Sequence, residues 1–277
     1  MAIIFNRYGK CRIRLVKVRR AADPHDLVDL TLDVQLEGAF ENVYTEGDNS
    51  SCLATDTMKN TVYAFARQDP MASPELFGLR LAKHFAATPP VARARISLAE
   101  HRWERLTADG HPHPHAFIQP GGERWTAIVE KDRDGERVTS GLENLVVLKT
   151  TDSSFSGFPR DRYTTLSETE DRIFATSVTA SWKYHLGTAE FGARTLIRRR
   201  LLDTFATHDS RSVQHTLHAM ARAVLDACDD VEEVTLALPN RHHLLVDLAP
   251  FGLQNPNEIF VPTEEPFGLI EATLRRE

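Results

Sequence analysis

The sequence has few cysteines, and none of them are close together. Cys11, Cys52 and Cys228 are scattered, and no Cys-x-x-Cys spacing occurs. A disulfide framework or a zinc knuckle would need cysteines at defined short spacings, so neither is expected. We therefore expect three ordinary reduced thiols.

The sequence also lacks a long apolar run and an excess of positive charge. No uninterrupted apolar stretch approaches the roughly 20 residues of a membrane-spanning helix, and the formal net charge is −6. Nucleic-acid and membrane-surface binding both favour a basic face. The apolar run after Met1 is too short for a signal peptide, and Leu274–Glu277 is not a peroxisomal Ser-Lys-Leu ending. We expect a cytoplasmic protein that binds neither nucleic acid nor membrane.

What the chain does contain is enough apolar residues for a substantial core. It has 277 residues, of which 42% are apolar and 26% charged, as in soluble globular proteins. Strict alternation over 29–37 predicts a half-buried strand after an Asp23–Asp26 turn, and Ser73-Pro74 predicts a helix start. Similar patterns predict strands near 12–19, 94–98, 124–129, 138–148, 173–184, 234–238 and 244–248, and helices near 58–67, 74–87, 190–207 and 212–228.

The predicted elements follow one order twice: two strands, two helices, two strands. The halves meet at the tight turn Asp132–Gly135, which predicts modules at residues 1–135 and 136–277. Each module is predicted as an antiparallel sheet with two helices on one face, an α+β fold. Open sheet edges favour pairing, so we expect the chain to form oligomers.

A polar corner near the C-terminus is the first candidate for chemistry. The apolar stretch Leu236–Leu238 is followed by Pro239-Asn240-Arg241-His242-His243. We interpret Pro239 as the point where a strand ends. Asn240 and His242, two residues apart, then offer an amide beside a titratable base on one side of the chain.

The histidine-rich stretch Gly110–His115 allows two interpretations. Three alternate imidazoles, His111, His113 and His115, could converge on a metal ion. The intervening prolines and the absence of a neighbouring acidic or cysteine ligand favour a structural loop that leads into a strand at Ala116–Ile118.

Other candidates have structural as well as functional interpretations. Lys10, at the head of the first strand, is either solvated or a desolvated base. Thr55 or Asp56 caps a helix, or that helix start offers N–H donors to a polar ligand. Arg172 forms a surface ion pair or a planar fork for a ligand carbonyl. Phe155 is a plug or a stacking platform in a loop of small residues, and Val213-Gln214 begins a helix.

Taken together, these segments resemble the urate oxidase (uricase) family over nearly the whole chain. Each match is short, but their order and spacing are specific. His113–Phe117 also resembles a stretch of that family that is not a metal site. The matching segments are Tyr8–Lys10, Ala54–Asp56, Lys59–Thr61, Val147–Thr150, Gly157-Phe158, Arg160-Asp161, Tyr163–Leu166, Asp171–Ile173, Ser212–Gln214 and Leu238–His242.

The resemblance implies the tunnelling fold, with two such modules in each chain. Homotetramers of this family form a barrel around a central tunnel, and their active sites lie between subunits. One chain would then supply Lys10, Thr55 and Asp56. Its neighbour would supply Phe155, Arg172, Val213, Gln214, Asn240 and His242.

The resemblance also implies a reaction between urate, dioxygen and water without metal or flavin. Arg172 and Gln214 would bind the polar edge of urate, Phe155 would stack on its ring, and backbone groups at Thr55-Asp56 and Val213 would bind the rest. Lys10, Thr55 and His242 resemble the proton relay of the family, and Asn240 would hold dioxygen. The implied products are 5-hydroxyisourate and hydrogen peroxide.

Two alternatives remain open at the level of sequence. One is another tunnelling-fold enzyme that acts on a purine or a pterin, some of which use zinc or a glutamate anchor. The other is a non-catalytic purine-binding protein of the same fold. The presence of Lys10, Thr55, Asn240 and His242 disfavours the second.

Overall fold

The computed structural model describes residues 1–20 and 24–277. The predicted turn at Asp23–Asp26 begins outside the described residues. The chain forms two compact units, one of residues 1–142 with 183–192 and one of residues 143–182 with 193–277. These units do not test the predicted module boundary between residues 135 and 136, which stays a prediction.

In residues 1–20 and 24–134 the structure has six strands and three α-helices. In chain order they are β1 (Tyr8–Arg19), β2 (Asp26–Gly38), α1 (Glu41–Thr45), α2 (Thr55–Gln68), α3 (Pro74–Ala86), β3 (Val91–His101), β4 (Glu104–Ala108), β5 (His111–Ile118) and β6 (Arg124–Asp132).

From residue 135 onward there are four strands and two α-helices. They are β7 (Gly135–Lys149), β8 (Phe174–Tyr184), α4 (Arg194–Thr207), α5 (Val213–Ala227), β9 (Val231–Leu245) and β10 (Phe260–Arg275). The predicted order of two strands, two helices and two strands therefore occurs twice. The short helix α1 and the hairpin of β4 and β5 are additions to it in the first half.

The sheet of the first unit is antiparallel, with neighbours in the order β1, β2, β3 and β6. Its side chains alternate as the sequence pattern predicts. Leu30, Leu32, Val34 and Leu36 of β2 are fully buried, while the residues between them are half-buried. One face of the sheet thus packs into the core, and α3 packs against β3 and β6. The predicted α+β class with extensive antiparallel sheet is confirmed.

The last helix of each half starts where the sequence predicts it. Ser73 precedes α3 and its hydroxyl accepts a hydrogen bond from the Leu76 amide at 3.2 Å. Ser212 precedes α5 and accepts from the His215 amide at 3.1 Å. These caps satisfy amides that the first turn leaves without intrahelical partners, which is why serine specifies both starts.

The predicted strand end at Pro239 is wrong. β9 runs without interruption from Val231 to Leu245, and Pro239 pairs with Leu269 inside it. The partner strand β10 makes this possible, because its register shifts between Thr263 and Gly268, opposite Arg241. A proline is tolerated next to such an irregularity, where the regular ladder is broken. The strand predicted at 244–248 is the end of β9, and β10 itself was not predicted.

None of the helices in the described part of the chain is long and apolar enough to span a membrane. The three cysteines are free, with Cys11 exposed, Cys52 half-buried and Cys228 buried.

Candidate functional site

Lys10 is held in place by a close approach of two strands and by a bulge. A Cβ atom on Gly9 would lie only 1.9 Å from the carbonyl oxygen of Val34, so β1 and β2 can approach this closely only with glycine there. Directly after Lys10 the register shifts, and Arg12 adopts a φ of 56°. The Arg12 amide donates to Asp33 Oδ1 at 2.6 Å, which fixes the bulge.

Helix α2 lies alongside β1 and runs in the same direction. At its far end Lys17 Nζ donates to the Ala66 carbonyl at 2.8 Å, and halfway along it the Tyr63 hydroxyl donates to the Arg14 carbonyl at 3.3 Å. The start of α2, which contains Thr55, is therefore beside Lys10. The structure thus brings these two predicted relay residues to one end of the first unit.

Asp56 adds a carboxylate to this group. Its pKa lies below the ordinary value, chiefly because Lys59 Nζ donates to it at 2.5 Å. Asn60 also donates to it at 2.9 Å, and the positive charge of Lys10 lowers the pKa further. Lys10 and Asp56 therefore interact electrostatically, as residues at one site would.

The predicted cap of α2 is wrong. Ala54 occupies the N-cap position and has no side chain that could accept a hydrogen bond, while Thr55 and Asp56 are the first two helical residues. The first amides of α2 consequently lack a side-chain cap. Such amides are available to a polar ligand, which was the functional interpretation of this segment.

In the second unit, Phe155 and Arg172 lie together. The guanidinium carbon of Arg172 is 5.3 Å from the centroid of the Phe155 ring, a cation–π distance. The two are fixed by main-chain bonds, since Phe155 and Thr169 each donate an amide to the other's carbonyl, at 2.8 and 3.1 Å. The isolated pairing at Phe155 and Thr169 brings the loop against the segment that precedes Arg172.

The surroundings of Arg172 favour a ligand over an ion pair. Its Nε atom is buried and has no hydrogen-bond partner in residues 1–20 and 24–277. The neighbouring Asp171 accepts a hydrogen bond from Thr151 at 2.9 Å. Burial lowers the pKa of Arg172, but a guanidinium remains charged at neutral pH. A half-buried cation with an unused donor is suited to a planar anion.

Val213 and Gln214 occupy the first turn of α5. Val213 is 3% exposed and can present only its backbone to a ligand, whereas the Gln214 side chain is exposed. Ser212 caps the amide of His215, so the amides of Val213 and Gln214 lack intrahelical partners. The backbone of Val213 and the side chain of Gln214 are thus the groups that these two residues can offer to a ligand.

Asn240 and His242 lie on one face of β9, the face of the buried Leu236 and Leu238. This face packs on α5, which a tight turn joins to β9. The 15 residues of α5 span about 22 Å, which is the length of about seven strand residues. The start of α5 therefore lies beside Leu238 and Asn240, so that Gln214 and Asn240 are brought to one end of the second unit.

The structure thus places the nine predicted site residues in two groups. Lys10, Thr55 and Asp56 are in the first unit; Phe155, Arg172, Val213, Gln214, Asn240 and His242 are in the second. Their individual roles stay predictions.

The histidine-rich motif is part of a hairpin. His111–Ile118 is strand β5, so the strand begins five residues earlier than predicted. The rings of His113 and His115 are 4.5 Å apart, and His25 contacts His115. In the residues that the structure describes, no three His, Cys, Asp or Glu side chains are grouped so that they could hold a metal ion.

One aromatic residue near the site was not predicted. Phe158 stacks on Phe155, with ring centroids 4.9 Å apart and an interplanar angle of 12°. Offset stacking of this kind holds a ring in a fixed plane. In the sequence, Gly157-Phe158 is one of the segments that match the family, and the short spacing between Phe155 and Phe158 is the signal that places both rings in one loop.

These features define an α+β protein that carries groups suited to binding a small polar molecule. In the second unit a guanidinium lies beside an aromatic face, and α2 and α5 each begin with amides that lack intrahelical partners.

Comparisons with known proteins assign the chain more narrowly. The family model described as Uricase matches residues 6–130 and 138–271. The uricase of Arthrobacter globiformis is 46% identical over 98% of this chain and 89% of that protein. That of Aspergillus flavus is 40% identical over 98% and 95%. The crystal structure of the Arthrobacter uricase superimposes with a TM-score of 0.94 and covers 100% of this chain and 96% of that chain. The chain belongs to the uricase family, and the expected enzyme class, urate oxidase, is confirmed.

Proposed function

We propose that the protein oxidises urate without a cofactor: urate, dioxygen and water are converted to 5-hydroxyisourate and hydrogen peroxide. The observation that carries the proposal is Arg172, a half-buried guanidinium with an unused Nε donor, 5.3 Å from the Phe155 ring. Urate is a flat anion whose edge carries carbonyls and ring nitrogens. A guanidinium fork binds such an edge through two parallel hydrogen bonds.

The remaining contacts with the ring come from other residues of the second unit and from the start of α2 in the first unit. Gln214 has a side chain that both donates and accepts, so it fits an edge where a carbonyl lies beside an N–H group. Phe155 stacks on the ring face. The backbone amide of Val213 binds one further oxygen, and the free amides at Thr55-Asp56 bind another.

Proton removal makes urate able to reduce dioxygen. We infer that Lys10 takes a proton from bound urate through the Thr55 hydroxyl and that His242 completes the relay. The resulting dianion is electron-rich and transfers two electrons to dioxygen, which Asn240 holds above the ring. Water then adds to the oxidised ring and hydrogen peroxide leaves, so that the atoms balance. The protein's part is to orient the reactants, exclude water and move protons.

We further propose that each site combines residues of two copies. Lys10, Thr55 and Asp56 would come from one subunit, and the other six residues from its neighbour. In this proposal each half of the chain is a tunnelling-fold module, and a homotetramer closes the sheets into a barrel around a central tunnel.

The test is turnover by protein that has been freed of metal. Protein treated with a chelator is mixed with urate in air, while the near-ultraviolet absorbance of urate and the release of peroxide are followed. The proposal predicts loss of urate with an equimolar yield of peroxide, unchanged by the chelator. Activity that the chelator abolishes would favour a metal-dependent enzyme of the same fold, and binding without turnover would favour a purine-binding protein.

A further inference from the structure

Lys149 ends strand β7 in a segment that matches the family, yet it has no part in the proposed chemistry. Its ammonium donates to the carbonyl of His208 at 2.6 Å and lies 5.8 Å from the centroid of Phe205. Burial lowers the pKa of Lys149, against the opposing effect of Asp152 and Asp209. A half-buried ammonium directed at a main-chain carbonyl fixes that carbonyl in space.

The carbonyl that Lys149 binds begins a five-residue connection, residues 208–212. His208 is the C-cap of α4, and Ser212 is the N-cap of α5. Within the connection, the Ser210 hydroxyl donates to the Ser212 carbonyl at 3.1 Å. A ring nitrogen of His208 lies 3.1 Å from the Thr216 hydroxyl in the first turns of α5. The connection therefore sets where α5 begins, and with it Val213 and Gln214.

The same connection holds the loop that carries Phe155. The Ser154 amide donates to the Ser210 carbonyl at 2.7 Å, and the Ser210 amide donates to the Asp152 carbonyl at 2.9 Å. Ser153 and Ser210 form a parallel bridge, and both are fully buried. The connection is thus bonded on one side to the Phe155 loop and on the other to the start of α5.

The first unit contains the same arrangement without the ring-binding residues. Lys17 of β1 donates to the carbonyl of Asp69 at 2.5 Å, and Asp69 is the C-cap of α2. The backbone angles of Asp69 (φ −80°, ψ 138°) are close to those of His208 (φ −77°, ψ 127°). Five residues again lead to a capping serine, Ser73, but α3 then begins with the buried Pro74 and Glu75.

The geometry points to Lys149 as a positioning residue of the urate site. By fixing the 208–212 connection, Lys149 holds Phe155 and Gln214 at the separation that clamps one planar ring. This inference rests on the proposed function, since it assigns a role within that same site. Lys17 performs the equivalent anchoring in the first unit, but at the C-terminal end of α2, about 20 Å from Thr55, and the helix that follows, α3, contains no predicted site residue.

This pair of lysines provides a matched experiment. Lys149→Met and Lys17→Met each remove one ammonium while keeping side-chain length, and Lys149→Arg keeps a cationic donor. Each variant and the wild type are compared in their KM and kcat for urate and their Kd for xanthine. Their thermal midpoints are measured as well, together with amide hydrogen exchange in residues 152–155 and 208–214. Xanthine serves as a planar purine probe whose binding does not depend on turnover.

We expect Lys149→Met to raise KM for urate and Kd for xanthine about tenfold, the equivalent of one charge-assisted hydrogen bond. We expect kcat to fall less, amide exchange to increase in both segments, and Lys149→Arg to recover most of the affinity. Lys17→Met is expected to lower the thermal midpoint similarly without changing KM.

The positioning role would be overturned if KM rose equally in both Lys→Met variants. It would also be overturned if KM were unchanged in Lys149→Met while the wild type is active. Either result would leave the proposed function standing. A wild type that neither binds nor oxidises urate would contradict the proposed function, and this inference would fall with it.

Discussion

The guanidinium carbon of Arg172 lies 5.3 Å from the centre of the Phe155 ring, although the two residues are 17 positions apart in the chain. Main-chain bonds between Phe155 and Thr169 hold the two segments together. A cation and an aromatic face thus meet at a fixed distance. In the proposed function, this pair binds the flat urate anion.

Arg172→Met should weaken urate binding strongly. The substitution removes a charged fork that binds two atoms, so we expect KM for urate to rise about 100-fold. Arg162→Met is the control, because Arg162 is also an arginine over an aromatic ring, 4.6 Å from that of Tyr163, but is exposed. Steady-state kinetics check both. Similar changes in KM for the two variants would show that Arg172 does not bind the substrate.

His242→Ala should reduce the rate more than the affinity. General acid–base groups contribute about 100-fold or more to rate, and His242 is the proposed end of the relay. His243→Ala is the matched control, since the adjacent residue of β9 points to the opposite face and its Nδ1 lies 3.2 Å from the Arg241 carbonyl. Their kcat values and xanthine affinities are compared. If kcat falls equally in both, the assignment of His242 to the relay is wrong.

Gly9→Ala should destabilise the sheet beside Lys10. The new methyl group would lie 1.9 Å from the Val34 carbonyl oxygen, so β1 and β2 would have to separate. Overpacking of this kind costs about 1–3 kcal/mol. Gly192→Ala is the control, because its methyl group would enter open space. Urea unfolding measures both free energies. A Gly9→Ala protein with wild-type stability and activity would contradict the account of how Lys10 is positioned.

Asp132 should make the free energy of unfolding depend on pH in the acidic range, below about pH 4. Burial by itself raises the pKa of Asp132, but hydrogen bonds from Arg137, the Asp134 amide and Arg93 outweigh it, and the pKa lies below its ordinary value. A carboxyl whose folded-state pKa is lowered stabilises the fold above its unfolded pKa of about 3.9. That contribution disappears as the pH falls through the folded-state value.

The comparison is between wild type, Asp132→Asn and the exposed control Asp134→Asn. The difference in free energy of unfolding between wild type and Asp132→Asn should be constant from about pH 5 to 8 and should shrink below about pH 4. Asp134→Asn removes an exposed carboxylate from the same turn and so measures the effect of losing one negative charge there. A constant difference down to the lowest measurable pH would show that the Asp132 carboxylate is not stabilised by its partners.

Local chemistry accounts for the parts of the fold that the sequence predicted well. Ser73-Pro74 and Ser212 specify helix starts through bonds that form within one turn, so no distant residue is needed to recognise them. The alternation over β2 likewise reflects which side chains face the core. Such signals are complete within a few residues of the chain.

Distant pairing accounts for what was missed. β10 contains Pro262, Pro266 and two consecutive glutamates, and most of its residues are exposed, so no alternating pattern marks it as a strand. Pro239 resembles a strand end because proline cannot donate to a ladder. Only the register shift in β10, about 25 residues further along the chain, explains why β9 continues.

The distinction between local signals and distant contacts also applies to the candidate site. Lys10, Arg172 and His242 could be selected by resemblance, but the contacts that hold them could not. The bulge at Arg12 depends on the side chain of Asp33, and the position of Phe155 depends on Ser210. These bonds join residues from 21 to more than 50 positions apart, and no local pattern predicts them.

The claim that one urate site combines residues of neighbouring copies is tested most directly by complementation. Lys10→Met and Arg172→Met proteins are co-expressed, and the urate oxidation rate of the mixed oligomers is compared with that of each variant alone. Because the two residues would come from different subunits, some mixed sites should be intact, and activity should appear that neither variant has. Arg172→Met with His242→Ala is the control pair: both residues come from the same unit, so this mixture should stay inactive. Recovery in the control pair, or none in the Lys10→Met and Arg172→Met mixture, would contradict the account.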